Sequence, residues 1–118
     1  MPQSLAALSI HLVFSTKDRV PFLTPEIELE LFPYMATIFQ ASHSPALIIN
    51  GAADHVHCLF SLAHTVAVCD VVEEVKRESS KWIKTKGNRF ESFHWQAGYG
   101  AFSIGQSQVE VVKQYIAG

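Results

Sequence analysis

The stretch ALIINGAADHVHCLFSL, residues 46–62, decides the fold. Ala46 to Asn50 is a short apolar run. Asn50, Gly51, Ala52 and Ala53 read as a turn, and His55 to Leu62 alternates between apolar and polar positions, so the segment predicts a β-hairpin. Upstream, Pro25 to about Gln40 predicts a helix. Thr24 supplies a capping hydroxyl, Pro25 a ring preset for the first turn, and Glu26 a carboxylate at the positive end of the dipole. Ile27, Leu31, Met35 and Ile38 form its apolar stripe, and Pro33 is expected to kink or split it by removing a backbone donor. Further upstream, Leu8 to Ser15 alternates as a half-buried strand, with Leu8, Ile10, Leu12 and Phe14 on one side and Ser9, His11, Val13 and Ser15 on the other. Lys17, Asp18 and Arg19 then make a polar loop.

Downstream of the hairpin, Thr65 is expected to cap a second helix carrying Val68, Val72, Val75, Ser79 and Trp82 at helical spacing and ending near Lys86 and Gly87. Tyr99 to Ile104 is strand-like. Ser107 and Glu110 read as a capping box opening a last helix with Val109, Val112, Tyr115 and Ile116. The order β-α-β-β-α-β plus one helix is that of an α+β, ferredoxin-like split βαβ fold, with an antiparallel sheet, both crossover helices on one face and strand 1 beside strand 3. The other sheet face is left without helices of its own. It must meet water, a ligand or a partner, and Ser9, His11, His55 and His57 belong on it.

Size and composition agree with one domain over residues 1–118: 13.1 kDa, 48% hydrophobic and 17% charged residues are enough for a real core and too apolar for a disordered chain. A formal net charge of -2 excludes a globally basic nucleic-acid binder, so any polyanion site must be local. Cys58 and Cys69 have no CxxC spacing and suit reduced thiols. No apolar run approaches the ~20 residues of a membrane helix. Met1 to Ala7 lacks a signal peptide's charged flank, and a cytoplasmic protein is expected.

His55 and His57, two apart on a strand, project to the same side, where two imidazoles make a seat for a divalent metal ion. The same spacing also fits two surface histidines on a half-exposed strand. Asp54 adjoins the pair but faces away on an ideal strand. Tyr115 near the end of a short helix is either a packing ring or a nucleophile. A free phenol, with a pKa of about 10, needs a metal or base to attack phosphorus at neutral pH. Six of the 9 basic residues, Lys76, Arg77, Lys81, Lys84, Lys86 and Arg89, cluster on the second helix and the loop after it. With Lys17 and Arg19 they form a candidate DNA-binding edge. Glu73, Glu74 and Glu78 interleave with them, and a solvated helix face is the alternative. Phe90, Phe93, His94 and Trp95 could stack on unpaired bases or belong to the core. His43, His64 and His94 are isolated and read as surface or capping residues.

Together these segments resemble the HUH single-tyrosine transposases of small bacterial insertion sequences, including the REP-associated tyrosine transposases. The resemblance covers nearly the whole chain. His11-Leu-Val-Phe-Ser-Thr-Lys17-Asp-Arg19 is similar to that family's first strand and loop, and Asp54-His55-Val56-His57 to its histidine-hydrophobic-histidine motif. Trp95-Gln-Ala-Gly-Tyr99-Gly-Ala-Phe102-Ser103 is similar to the segment before the catalytic helix, and Val109-Glu-Val-Val-Lys-Gln-Tyr115-Ile116 to that helix.

The resemblance implies a metal-dependent transposase that cleaves and rejoins single-stranded DNA at hairpin-marked element ends. Tyr115 would be the nucleophile forming a 5'-phosphotyrosine intermediate, and His55 and His57 would hold Mg or Mn. It also implies a homodimer in which the tyrosine helices can be exchanged. The family places a Gln or similar third metal ligand one helical turn after the tyrosine, here the position immediately beyond Gly118. That gives the alternative expectation of a truncated or domesticated relative, slow or inactive in cleavage, that only binds DNA hairpins.

Overall fold

Alternating side chains and capped amphipathic runs place the elements almost where the sequence puts them. The computed structural model describes residues 8–118; residues 1–7, read above for a signal peptide, lie outside the described residues. Strands β1 (Leu8–Ser15), β2 (Ala46–Ala52), β3 (His55–Leu62) and β4 (Gly100–Ile104) form one sheet in the order β2-β3-β1-β4, with every neighbouring pair antiparallel. Helices α1 (Pro25–Ala41) and α2 (Val68–Lys84) are the two crossovers. A third helix, α3 (Val109–Ala117), follows β4. This is the ferredoxin-like split βαβ order with an added C-terminal helix. Among the described residues no helix is long and apolar enough to cross a membrane.

The core lies between the sheet and the two crossover helices. Leu12, Phe14, Val56, Cys58 and Phe60 from the sheet cluster with Leu31, Met35 and Phe39 of α1 and Val71, Val72, Val75 and Ile83 of α2. Removing such side chains from water, at about 25 cal/mol per Å² of apolar surface, is the main drive for docking the helices. Cys58 is fully buried, and desolvation pushes its thiol far above the ordinary range; Cys69 is exposed. Trp95 and Phe93 close the core's edge, with the Trp95 ring edge-on to Phe14 at 4.6 Å between centroids. Trp95 Nε1 donates to Ser79 Oγ at 3.0 Å. Phe90, Phe93 and Trp95 are therefore core residues and not stacking platforms for bases, since all three are buried, Phe90 and Phe93 against Phe22 and Trp95 against Phe14.

Several local expectations are corrected. Pro33 does not split α1, which runs unbroken through it. Its ring is on the exposed side, where water can bond the freed carbonyl, while Leu31, Met35 and Phe39 anchor the buried side. Strand β2 runs two residues past Asn50, so the hairpin turn is Ala53 and Asp54. The backbone tightness sits at Gly51, where a Cβ would come within 2.4 Å of the His55 carbonyl oxygen. Thr65 does not cap α2, whose N-cap is Ala67 with no side-chain bond. Ser107 and Glu110 make no capping box, because a 3-10 turn over Gln106–Gln108 leads into α3 and Gln108 is the N-cap. The last strand starts at Gly100, one residue after Tyr99. The second sheet face is not bare either: α3 packs mainly on β2 and β3, and most of the β1 and β4 surface stays open.

Candidate functional site

Antiparallel register fixes which side chains share the second face. Asn50 on β2, His57 on β3, Val13 on β1 and Gly100 on β4 form one row across the sheet. Ile48, Leu59, His11 and Phe102 form the next. Directly opposed residues point to the same side, so His11, His55, His57, Asn50 and Phe102 all stand on the face away from α1 and α2. Leu59 and Ile116 are buried but outside the main core, and they supply the apolar contact surface of this face under α3.

Helix α3 brings Tyr115 to the histidines. Asn50 Nδ2 donates to the Ile116 carbonyl at 2.8 Å and lies 3.5 Å from that of Ala117, so a strand side chain satisfies the carbonyls that a helix C-terminus leaves unpaired. The Tyr115 ring centroid then lies 6.0 Å from that of His57 and 6.3 Å from that of His11, edge-on to both. Tyr115 remains 68% exposed, so most of its ring stays open beside the two imidazoles. A cavity of about 240 Å³ opens between Asn50, Gly51, Ala52, His55, His57, Tyr115 and Ile116. Sequence reasoning missed Asn50, which it assigned to the turn; a hairpin register extended by two residues would have found it opposite His57.

The two imidazoles are oriented from behind. His55 Nδ1 is 2.8 Å from Asp54 Oδ1. Asp54 thus does not face away: it sits in the hairpin turn rather than on an ideal strand, and its other oxygen accepts from Arg19 Nε at 3.0 Å. These hydrogen bonds, from His55 first and then Arg19, hold the Asp54 carboxyl below the usual carboxylate range. His57 Nδ1 is 3.0 Å from His11 Nε2. Burial lowers the proton affinity of His57, and the charges His11 and His55 would carry lower it further; burial alone lowers that of His11. With each Nδ1 engaged, Nε2 is the outward ring nitrogen of each motif histidine, and His57 Nε2 has a lone pair for a metal in the tautomer whose Nδ1–H donates to His11 Nε2. Among the described residues, no three of His, Cys, Asp or Glu converge as a ready-made cage. Two imidazoles, one carrying a carboxylate behind it, suit a divalent ion that completes its shell with water or phosphate oxygens.

The basic residues divide between the two sides of the molecule. Arg19, in the turn with Lys17, stands beside His55. The α2 set lies across the sheet from Tyr115. Arg77 pairs with Glu73, Glu74 and Glu78, Lys81 with Glu78, and Lys86 with Glu30. Lys84 donates to Ser80 Oγ, and Arg89 to the Pro21 carbonyl. Lys76 Nζ donates to the carbonyls of Gln96 at 2.7 Å and Gly98 at 3.0 Å, so it braces the segment before β4.

Comparison with known proteins gives the family and the fold. A family model described as transposase IS200 like matches residues 4–118. The crystal structure of a putative transposase from Deinococcus radiodurans R1 is 20% identical and superposes with a TM-score of 0.78, over 99% of this chain and 96% of that one. A REP-associated tyrosine transposase bound to a REP hairpin is 10% identical with a TM-score of 0.67, over 98% of this chain and 66% of that one. At these identities the two structures speak for the fold alone. No curated protein matches the chain in sequence.

Proposed function

The chain belongs to the IS200-like transposase family, and from that membership we propose that it cleaves and rejoins single-stranded DNA at hairpin-marked ends through Tyr115. The observation that carries the reading is the placement of Tyr115, by α3 and Asn50, over the His55 and His57 face. In the proposed step the Tyr115 Oη attacks a backbone phosphorus and the P–O3' bond breaks. The phenol gives up its proton, and the departing strand takes one to become a free 3'-hydroxyl. The protein is left joined to the 5'-phosphate. One phosphoester replaces another, so bond energy is roughly conserved and no nucleotide cofactor is required.

His55 and His57 would hold a divalent ion, Mg or Mn, whose positive charge when bound favours the phenolate and offsets charge developing on the phosphate. The chain's own contribution is orientation. Asp54 and His11 fix the ring faces of the two histidines, and Asn50 fixes the tyrosine helix. Lys17 and Arg19 are the basic residues we assign to the DNA backbone, because their turn lies at the His55 end of the site. Arg77, Lys81, Lys84, Lys86 and Arg89 would act only on DNA that wraps to the other side, and the Lys76 ammonium is engaged in bracing the Gln96 and Gly98 carbonyls.

Incubation with single-stranded DNA carrying hairpins from the flanks of the chain's own gene, with Mn or Mg, should give a protein-DNA adduct that survives denaturing electrophoresis. Tyr115→Phe should give none while leaving hairpin affinity within about twofold, since one hydroxyl is lost and the ring remains. An adduct formed equally by Tyr115→Phe would reject the assignment.

A further inference from the structure

Because α3 packs mainly on β2 and β3, a groove of about 530 Å³ stays open over β1 and β4. Its floor is Val13, Ser15 and Gly100. Tyr99 and Phe102 stand along it, Gln96 and Gly98 form a wall, and Arg19 and His55 close one end. This volume falls within the ordinary range of small-ligand sites, about 300–1,000 Å³. Phe102 is 57% exposed and Tyr99 43%, and the Phe102 ring lies against Gly100, within 3.2 Å of where a Cβ would be. With no side chain at Gly100 the Phe102 ring lies over that strand position, and its exposed outer face is open to another planar group.

We propose that this groove holds an unpaired base of the DNA strand, stacked on Phe102 and Tyr99, next to the phosphate attacked by Tyr115. The proposal rests on the reading of the site given above. Three features select that occupant. His55 lines both the groove and the tyrosine cavity, so a strand whose phosphate lies at the histidines runs directly into the groove. The Arg19 guanidinium, with a side chain 63% exposed despite its bond to Asp54, stands at the same end and complements a phosphate there. The wall is also built in advance. Gln96 N donates to the Ser15 carbonyl at 2.8 Å, the Asp18 backbone N–H donates to Gln96 Oε1 at 3.2 Å, and Lys76 ties the Gln96 and Gly98 carbonyls to α2. A base would enter a groove that needs little rearrangement, which reduces the ordering cost of binding.

The test compares two fluorescent probes by anisotropy: single-stranded 12-mers of randomised sequence, and a 12-mer of abasic phosphates of the same length. The native chain should bind the first more tightly. Phe102→Ala should weaken it roughly 5- to 100-fold, the ordinary effect of removing one base-aromatic stack. The same substitution should leave the abasic probe unchanged, and Phe102→Trp should restore binding. Equal losses on both probes, or no loss on either, would overturn the groove while leaving the transposase reading intact. Native protein that binds neither probe, nor any hairpin, would overturn the DNA reading and the groove together. A Phe102→Ala defect confined to self-association would show that the occupant is a second copy of the chain and reject the base.

Discussion

Asn50 carries no chemistry, yet it sets where the chemistry can happen. Its amide is the polar tie between β2 and the last turn of α3, and Tyr115 sits in that turn. Losing one such bond costs about 0.5–1.5 kcal/mol. Asn50→Ala should therefore slow adduct formation about 2- to 10-fold and raise amide exchange over 109–117, with hairpin affinity little changed. Exchange-rate mass spectrometry together with adduct kinetics would check it. His11 and His57 make a second prediction. Both hold their protons less tightly than a free imidazole, whose pKa is about 6.5, so below that value the unfolded chain binds more protons than the fold does. Stability of the metal-free protein should be full above about pH 6.5 and fall as pH drops from there toward the lower folded values. Urea unfolding at about pH 7.5 and about pH 5.5 should show this loss, and a His11→Asn, His57→Asn variant should show less of it. Of these residues, the two motif histidines were legible from their spacing on a strand. His11 was placed on the right face by alternation alone. Its bond to His57 was not legible, because a diagonal contact between β1 and β3 needs the register, and the register is a property of the pair.

At the scale of elements, the ends of β1 and β3 coincide with the alternating runs because burial on one face imposes a period of two that stops where the pattern stops. Caps were harder to read. Thr65, Ser107 and Glu110 have suitable side chains, but where each helix begins is set by how it docks on the sheet. Ser79 is the opposite case: a serine at an apolar position of α2 whose hydroxyl has a task in the core. It accepts from Trp95 Nε1 and donates back to the Val75 carbonyl at 2.6 Å. Ser79→Ala strands a buried indole N–H, at a cost of about 1–3 kcal/mol. Ser79→Ala combined with Trp95→Phe should recover part of that loss, because the unpaired donor disappears with its partner. Chemical denaturation of the single and double variants measures both. The result also bears on the groove, since Trp95 adjoins Gln96 in the braced wall.

For the whole molecule, the division of faces is the organising fact. Helices α1 and α2 close one side of the sheet, while α3, Tyr115 and the histidines occupy half of the other. Strand β4 is left as an edge, and Val111, one helical turn before Tyr115 on α3, is exposed with it. An unpaired edge and apolar side chains on one face favour self-association. A homodimer is therefore expected, and sedimentation velocity across a concentration series should show it. A persistent 13.1 kDa species at tens of micromolar, the ordinary scale of weak association, would reject it. Whether the dimer exchanges its tyrosine helices is decided by mixing two variants, each inactive alone. Tyr115→Phe keeps the histidines and His57→Ala keeps the tyrosine. If helices were exchanged, a mixed dimer would contain one complete site and form adduct. Within one chain, however, Tyr115 already stands 6.0 Å, ring to ring, from its own His57, and Asn50 of that chain holds the helix down. The mixture should accordingly form no more adduct than either variant alone, and adduct above that level would show that the helix serves the partner's site.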